Sequence, residues 1–97
     1  MAHRLSAEAE ADLDELWYYA ARNGSVEAAD RLVESLTTRF FLLGAHPHAS
    51  RRRDDLRPGV RAFPVGEYIV LYRVDGDDVL IQRVARSNRD LEALLGE

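Results

Sequence analysis

The sequence predicts an α+β fold in which a helical hairpin packs on a small antiparallel sheet, in the element order β-αα-βββ-α. Two stretches of helical apolar spacing fill the first half of the chain. Two runs rich in β-branched and aromatic residues follow, joined through Asp75-Gly76, which is a strong hairpin signal. The helices are separated by so short a link that they must pack antiparallel. At 97 residues, the whole range 1–97 is expected to form a single domain.

The first half of the chain contains clear helix boundaries. A short strand at 2–5 is followed by Ser6, a typical N-cap, and Asn23-Gly24 is typical of a helix end. Ser25 caps the second helix, which ends near Gly44 and Pro47. Aromatic residues at helical spacing are usually buried, so Trp17 and Phe40 are expected to anchor the core of the hairpin.

The segment 46–59 is rich in proline, glycine and charge and is expected to be a loop. Three consecutive arginines, 51–53, precede Asp54 and Asp55. This pattern could bind nucleic acid, but a short charge run is more often an exposed loop whose charges pair with each other. Direct DNA binding is therefore not expected. Leu56 is expected to pack the loop onto the core.

The strand region has an unusual pattern. Pro64 cannot donate to a ladder, so the strand at 60–65 should lie at an edge or end there. The strands Tyr68–Val74 and Val79–Ala85 form the hairpin, and residues 68–72 are all apolar or aromatic. Such a run implies that both sheet faces are covered. The two helices cover one face, and a short last helix after Ser87 or Asn88 covers little of the other. We therefore expect an apolar face that a protein partner covers.

Composition excludes several classes of protein. The net charge is −4, and all 13 basic residues are arginine. There is no cysteine, and the three histidines fit no ligand spacing, so no metal or cofactor is expected. No run is long enough to span a membrane and the N-terminus is no signal peptide, so a cytoplasmic, non-membrane protein is expected.

Three stretches carry a family resemblance: LSAEAEADLDELWYY, HPHASRRRDDLRPGVRAFPVGEYIVLYRV and VARSNRDLEALL. In this order they resemble the ParE branch of the RelE/ParE superfamily of bacterial toxins, over nearly the whole chain. The resemblance implies a RelE/ParE-like fold and a cognate ParD-like antitoxin, a ribbon-helix-helix protein whose C-terminal tail neutralises the toxin in a hetero-oligomer. It also implies DNA gyrase as the target, inhibited by binding rather than by enzymatic catalysis.

Two alternatives remain open. One is a RelE-like, ribosome-dependent mRNA endoribonuclease, and the other is a non-toxic module that only binds its antitoxin. In the nucleases a basic residue follows the first tyrosine of the third strand, where this chain has Ile69. No tyrosine follows Tyr72 and no histidine follows His48, so a late proton-transfer group is missing. Arginine does not replace it, because it is essentially always charged.

The resemblance and the charge pattern together name two groups of candidate residues. The candidates for toxicity and target contact are Arg83, Arg86, Arg89 and Asp90. Alternatively, Arg89 and Asp90 cap and pair at the start of the last helix. The candidates for antitoxin binding are Arg61, Tyr68, Tyr72 and Arg73. For these the alternatives are a pair between Arg73 and Glu67 or Asp78, and a core position for the two tyrosines.

Overall fold

A computed structural model of the chain describes residues 2–96. Five strands and three helices form over this range, and the predicted α+β class is confirmed. In chain order they are β1 (His3–Leu5), α1 (Ala7–Asn23), α2 (Val26–Ala45), β2 (Arg51–Arg52), β3 (Arg61–Val65), β4 (Tyr68–Asp75), β5 (Asp78–Arg86) and α3 (Leu91–Leu94).

The strands form one sheet in the order β1-β5-β4-β3-β2. The neighbouring pairs from β5 to β2 are antiparallel, whereas β1 runs parallel to β5. The sheet is therefore mixed rather than the purely antiparallel one that had been expected. The reason is that β1 pairs in parallel with β5, on the side of β5 that faces away from β4. The strand β2 also lies inside the segment that was expected to be loop throughout.

Local signals place the helices and turns as predicted. Ser6 Oγ accepts the Ala9 N–H at 3.0 Å, and Ser25 Oγ accepts the Ala28 N–H at 3.0 Å, so both N-caps are confirmed. Gly76 has φ +64° at the first position of the two-residue turn between β4 and β5. This left-handed backbone favours glycine and explains why Asp75-Gly76 forms the hairpin.

The main core lies between the helical hairpin and one face of the sheet. Phe40 is buried there with Val70 and Tyr72, which confirms its predicted anchoring position. Trp17 is only half-buried, and its Nε1 donates to Asp30 Oδ1 of α2 at 2.8 Å. Trp17 therefore ties the two helices together at the rim of the core rather than at its centre.

The second face of the sheet is covered by the chain itself. Leu56 and Val60, from the segment before β3, pack on Ile69 and Leu71, and α3 adds half-buried leucines beside them. The prediction that both faces are covered is confirmed. The expectation that a partner must cover this second face is wrong for Ile69 and Leu71, because the apparent loop at 53–60 folds back over them and buries them.

Pro64 lies where the sheet has an open edge. The strand β2 pairs only with Arg61 and Ala62, and none of the residues 2–96 pairs with the rest of β3 on that side. Since proline has no N–H to offer, this stretch is a poor template for another strand. The edge position predicted for Pro64 is confirmed.

A buried ion pair joins α1 to β5. Asp12, which is only 9% exposed, accepts two hydrogen bonds of 2.9 Å from Arg83 Nε and Nη2. Its Oδ2 also accepts the Val84 N–H at 2.9 Å. Arg83 Nη1 in turn donates to the Leu94 carbonyl of α3. One carboxylate thus holds two helices against the end of β5.

We expect Asp12→Ala to lower the free energy of unfolding by about 3 kcal/mol, because it leaves the Arg83 charge and the Val84 N–H without their partner. Asp12→Asn should lose less, since its amide oxygen still accepts from Val84. Urea denaturation measures both. The matched control is Asp75→Ala, which breaks an exposed pair with Arg4 and should cost less than about 1 kcal/mol. Equal losses for Asp12→Ala and Asp75→Ala would contradict this role of Asp12.

His3 packs against two phenylalanines of α2. Its ring centroid lies 5.6 Å from that of Phe40 and 4.8 Å from that of Phe41. Burial in this apolar contact lowers the pKa of His3 from its ordinary value of 6.5, because the charged ring is poorly solvated.

His3 should therefore make stability depend on pH. Below pH 6.5 the unfolded chain binds a proton at His3 more readily than the folded chain, so stability falls as the pH drops from about 7.5 to 5. Urea denaturation at both pH values should show a smaller drop for His3→Gln than for the wild-type chain. If the two drops are the same, His3 does not titrate differently in the folded and unfolded states.

Candidate functional site

A groove opens at the end of β5, between α1 and α3. Its volume is about 270 Å³. It combines charged side chains from the arginine run with an apolar wall. The lining residues are Asp12, Glu15, Leu16, Tyr19, Arg83, Val84, Ala85, Arg86, Arg89 and Leu94.

Helical spacing brings one wall of the groove together. Asp12, Glu15, Leu16 and Tyr19 recur on α1 at steps of three, one and three, so they share one side of the helix. Tyr19 is 50% exposed. Sequence reasoning missed Glu15 and Tyr19 as site residues. Their spacing from Asp12 was visible, but nothing local indicates that this side of α1 faces the end of β5.

Arg86 lies at the mouth of the groove between two aromatic rings. Its guanidinium carbon is 5.9 Å from the ring centroid of Tyr19 and 5.7 Å from that of Tyr68. Both distances are within the range of cation–π attraction. Arg86 Nη2 also donates to Glu67 Oε1 at 2.6 Å, and the two side chains are 42% and 75% exposed. Such an exposed pair is weak and easily exchanged for another carboxylate.

Arg89 and Asp90 follow β5 and do not pair with each other among the described residues. Asp90 caps α3, where its Oδ1 accepts the Ala93 N–H at 3.3 Å. The cap is thus Asp90 rather than the expected Ser87 or Asn88. Arg89 is exposed, and no carboxylate within residues 2–96 forms an ion pair with it. Among the arginines after β4, Arg89 is thus the one without a carboxylate partner within the described range.

Arg83, the first arginine of the run, has a different environment. The hydrogen bonds to Asp12 raise the pKa of its guanidinium, and its side chain is only 24% exposed. This geometry assigns Arg83 to holding α1, β5 and α3 together. Arg83 therefore forms internal contacts that connect three elements, whereas Arg86 and Arg89 lie at the surface.

The four residues predicted to bind an antitoxin do not form one surface. Arg61 donates to the Ser50 carbonyl at 2.7 Å, and Arg73 donates to the Pro58 carbonyl at 3.0 Å. Both arginines thus hold the segment between α2 and β3, and the alternative pair of Arg73 with a carboxylate is not formed. Tyr72 is 0% exposed and its hydroxyl donates to the Pro47 carbonyl at 2.9 Å, so its side chain offers no surface. Tyr68 alone lies beside the groove.

Four of the five charges of the segment 51–55 pair with each other, as predicted, and Arg51 is exposed without an ion pair among the described residues. Arg52 pairs with Asp54 at 3.0 Å and Arg53 with Asp55 at 2.9 Å. A hydrogen bond from the Gly59 N–H, then one from Arg52, lowers the pKa of Asp54. A hydrogen bond from Arg53 lowers the pKa of Asp55. The interpretation as a self-paired, exposed segment is confirmed.

Two kinds of site are missing from the described residues. Within residues 2–96, no group of three or more His, Asp or Glu side chains is placed to hold a metal ion. None of the helices in that range is long and apolar enough to cross a membrane.

The chain is similar to toxins of known type. Residues 4–91 match the model of the family described as ParE toxin of type II toxin-antitoxin system, parDE. Toxin ParE3 of Caulobacter vibrioides is 38% identical over 86 residues, which are 89% of this chain and 86% of that protein. Toxin ParE1 of the same organism is 35% identical over 94 residues, 97% of each chain.

A solved structure has the same fold. The structure described as a chromosomal ParDE TA system from P. aeruginosa superposes with a TM-score of 0.77 at 26% identity, covering 89% of this chain and 95% of that one. The family match, the two relatives and this structure all extend over most of the chain, as the resemblance in the sequence implied. The chain belongs to the ParE toxin family of type II toxin–antitoxin systems.

Proposed function

We propose that this toxin inhibits DNA gyrase by binding it, and that direct binding of a ParD-like antitoxin neutralises the toxin. The observation that carries the proposal is the composition of the groove. It presents Arg86 and Arg89 beside Tyr19, without a histidine among its lining residues. Arginine and tyrosine are among the residues enriched at the energetic centres of protein interfaces.

One feature of the geometry and one of the sequence support binding over nuclease activity. Ile69, at the position where the nucleases carry a basic residue, is 8% exposed and packs on the second face of the sheet. It therefore lies away from Arg86, whose face of β5 is the one that carries Val84 against the helices. RNA cleavage needs both a proton-transfer group and a cation at the phosphate. The sequence has no tyrosine after Tyr72 and no histidine after His48, so the C-terminal proton-transfer group of the nucleases is missing, and the tyrosines near Arg86 come from α1 and β4 instead.

The proposed cellular location and the proposed complex both follow from these two partners. A toxin that acts on gyrase and is neutralised by an antitoxin meets both in the cytoplasm. The proposed complex is a hetero-oligomer built on the antitoxin, and the toxin contributes the whole domain 1–97. Within it, Arg86 and Arg89 are the proposed target contacts.

The purified chain is expected to inhibit ATP-dependent supercoiling by gyrase and to leave ribosome-bound mRNA intact. Agarose gels of relaxed plasmid measure the first activity, and primer extension on translated mRNA measures the second. Adding the antitoxin should restore supercoiling. Cleaved mRNA with unaffected gyrase would favour the RelE-like alternative, and no effect in either assay would favour the non-toxic module.

Arg86→Ala combined with Arg89→Ala should raise the toxin concentration needed for half-inhibition of gyrase at least tenfold, because both exposed cations at the groove are lost. The matched control is Arg31→Ala with Arg51→Ala, which removes two exposed arginines that have no ion pair among the described residues and lie outside the groove. The control should inhibit within twofold of the wild-type chain. Equal inhibition by the wild-type chain and the groove variant would remove Arg86 and Arg89 from the target surface.

A further inference from the structure

A second groove lies between the two helices of the hairpin, and we call it the outer groove. Its volume is about 360 Å³, and its lining residues are Glu10, Leu13, Asp14, Trp17 and Val33. The four residues from α1 recur at steps of three, one and three, so they share one side of that helix. None of the five lines the groove at the end of β5, so the two grooves are separate.

The apolar part of the outer groove is ordered before any partner binds. Leu13, Trp17 and Val33 are half-buried, and the indole Nε1 of Trp17 donates to Asp30 Oδ1 at 2.8 Å. The ring of Tyr18 meets that of Trp17 edge to face at 5.4 Å, and Tyr18 is 66% exposed. Tryptophan and tyrosine are enriched among the residues that dominate binding energy at protein interfaces. Rings that are already held in place also lose little conformational entropy on binding.

The rim of the outer groove carries negative charge that no cation balances. Glu10 and Asp14 are exposed, and neither forms an ion pair within residues 2–96. The helical hairpin around them, residues 7–45, holds eight acids and three arginines. Of these acids, Asp12 is the one that an arginine of the described residues neutralises. The outer groove therefore attracts basic groups and repels acidic ones.

The exposed side of α1 connects the outer groove to the proposed target contacts. Trp17, Tyr18 and Tyr19 are consecutive, and each residue of an α-helix is turned by about 100° from the one before it. Trp17 lines the outer groove, Tyr19 lies beside Arg86, and Tyr18 is exposed between them. A helix with its side chains is only about 10–12 Å wide. A partner that covers Tyr19 and Arg86 can therefore reach the outer groove across Tyr18.

We propose that the outer groove binds a basic, partly apolar segment of gyrase, with lysine or arginine side chains at Glu10 and Asp14 and an apolar side chain against Trp17. The inference rests on the proposed function, since it takes gyrase as the target. An enzyme that supercoils DNA must hold duplex phosphates, and proteins do so with lysine and arginine, so its surface supplies the complementary charge. The toxin then contacts its target on both sides of α1.

The test uses the full toxin and purified gyrase in the supercoiling assay. Glu10→Lys with Asp14→Lys should raise the toxin concentration needed for half-inhibition at least tenfold, because attraction at the rim becomes repulsion. The matched control is Asp77→Lys with Glu92→Lys, which makes the same change in net charge at two exposed acids outside both grooves. The control should inhibit within twofold of the wild-type chain. Circular dichroism and thermal unfolding establish that both variants are folded.

A second pair of variants tests the aromatic part of this surface. Tyr18→Ala should raise the concentration for half-inhibition at least fivefold, because it removes the exposed ring beside Trp17. Phe41→Ala is the matched control, since Phe41 is 67% exposed and lies outside both grooves. This control should inhibit within twofold of the wild-type chain.

Three outcomes would contradict the inference or its basis. Unchanged inhibition by the variant at Glu10 and Asp14, or an equal loss in this variant and its control, would overturn the outer groove as a contact while leaving gyrase as the target. The inference is also wrong if that variant inhibits gyrase like the wild-type chain but loses affinity for the antitoxin in isothermal titration calorimetry. If the wild-type chain does not inhibit gyrase at all, the proposed function itself fails.

Discussion

The carboxylate of Asp12 is the contact on which the arrangement of this toxin depends. The strand β1 ends at Leu5, so β5 continues past it with an open edge, and the Val84 N–H there is buried. Asp12 supplies the missing acceptor, and its negative charge is balanced by two hydrogen bonds from Arg83. Burying a carboxylate is costly unless it is paired and hydrogen-bonded, and here each condition is met. The result is a strand end held by a helix instead of by another strand.

The geometry of β5 beside this contact gives the later arginines different environments. A register shift between Leu71 and Tyr72 places one extra residue on β5 before Arg83. Beyond this extra residue, the side chain of Arg83 reaches Asp12. Val84 and Arg86 are two residues apart and therefore lie on the same face of the sheet, the face that the helices cover. Arg86 therefore emerges beside Tyr19, and Arg89 follows after the strand has ended. The three arginines look alike in the sequence, but in the structure Arg83 pairs internally with Asp12, whereas Arg86 and Arg89 are surface cations.

The parts of the fold that the sequence predicted are those governed by local chemistry. Ser6 and Ser25 cap helices through hydrogen bonds that span three residues, and Gly76 supplies a backbone angle that its own turn requires. The parts that it did not predict depend on distant partners. Asp12 and Arg83 are 71 residues apart, and nothing near either residue identifies the other. The predicted packing of Leu56 onto the core is confirmed, but the sequence did not predict that Leu56 and Val60 cover Leu71 on the second face of the sheet, because proline, glycine and charge in that segment indicate a loop without indicating where it folds.

The exposed pair between Arg86 and Glu67 bears on how a partner gains affinity at the groove. A carboxylate from a partner that reaches Arg86 replaces a carboxylate already present, so the net gain from that exchange is small. The larger gain comes from covering Tyr19, Leu16 and Leu94, since apolar area removed from water contributes roughly 25 cal/mol per Å². In the proposed complex, Arg89, which has no ion pair within residues 2–96, attracts negative groups of the partner to the groove. In that proposed complex, charge contributes mainly to the choice of partner, and apolar burial contributes most of the affinity.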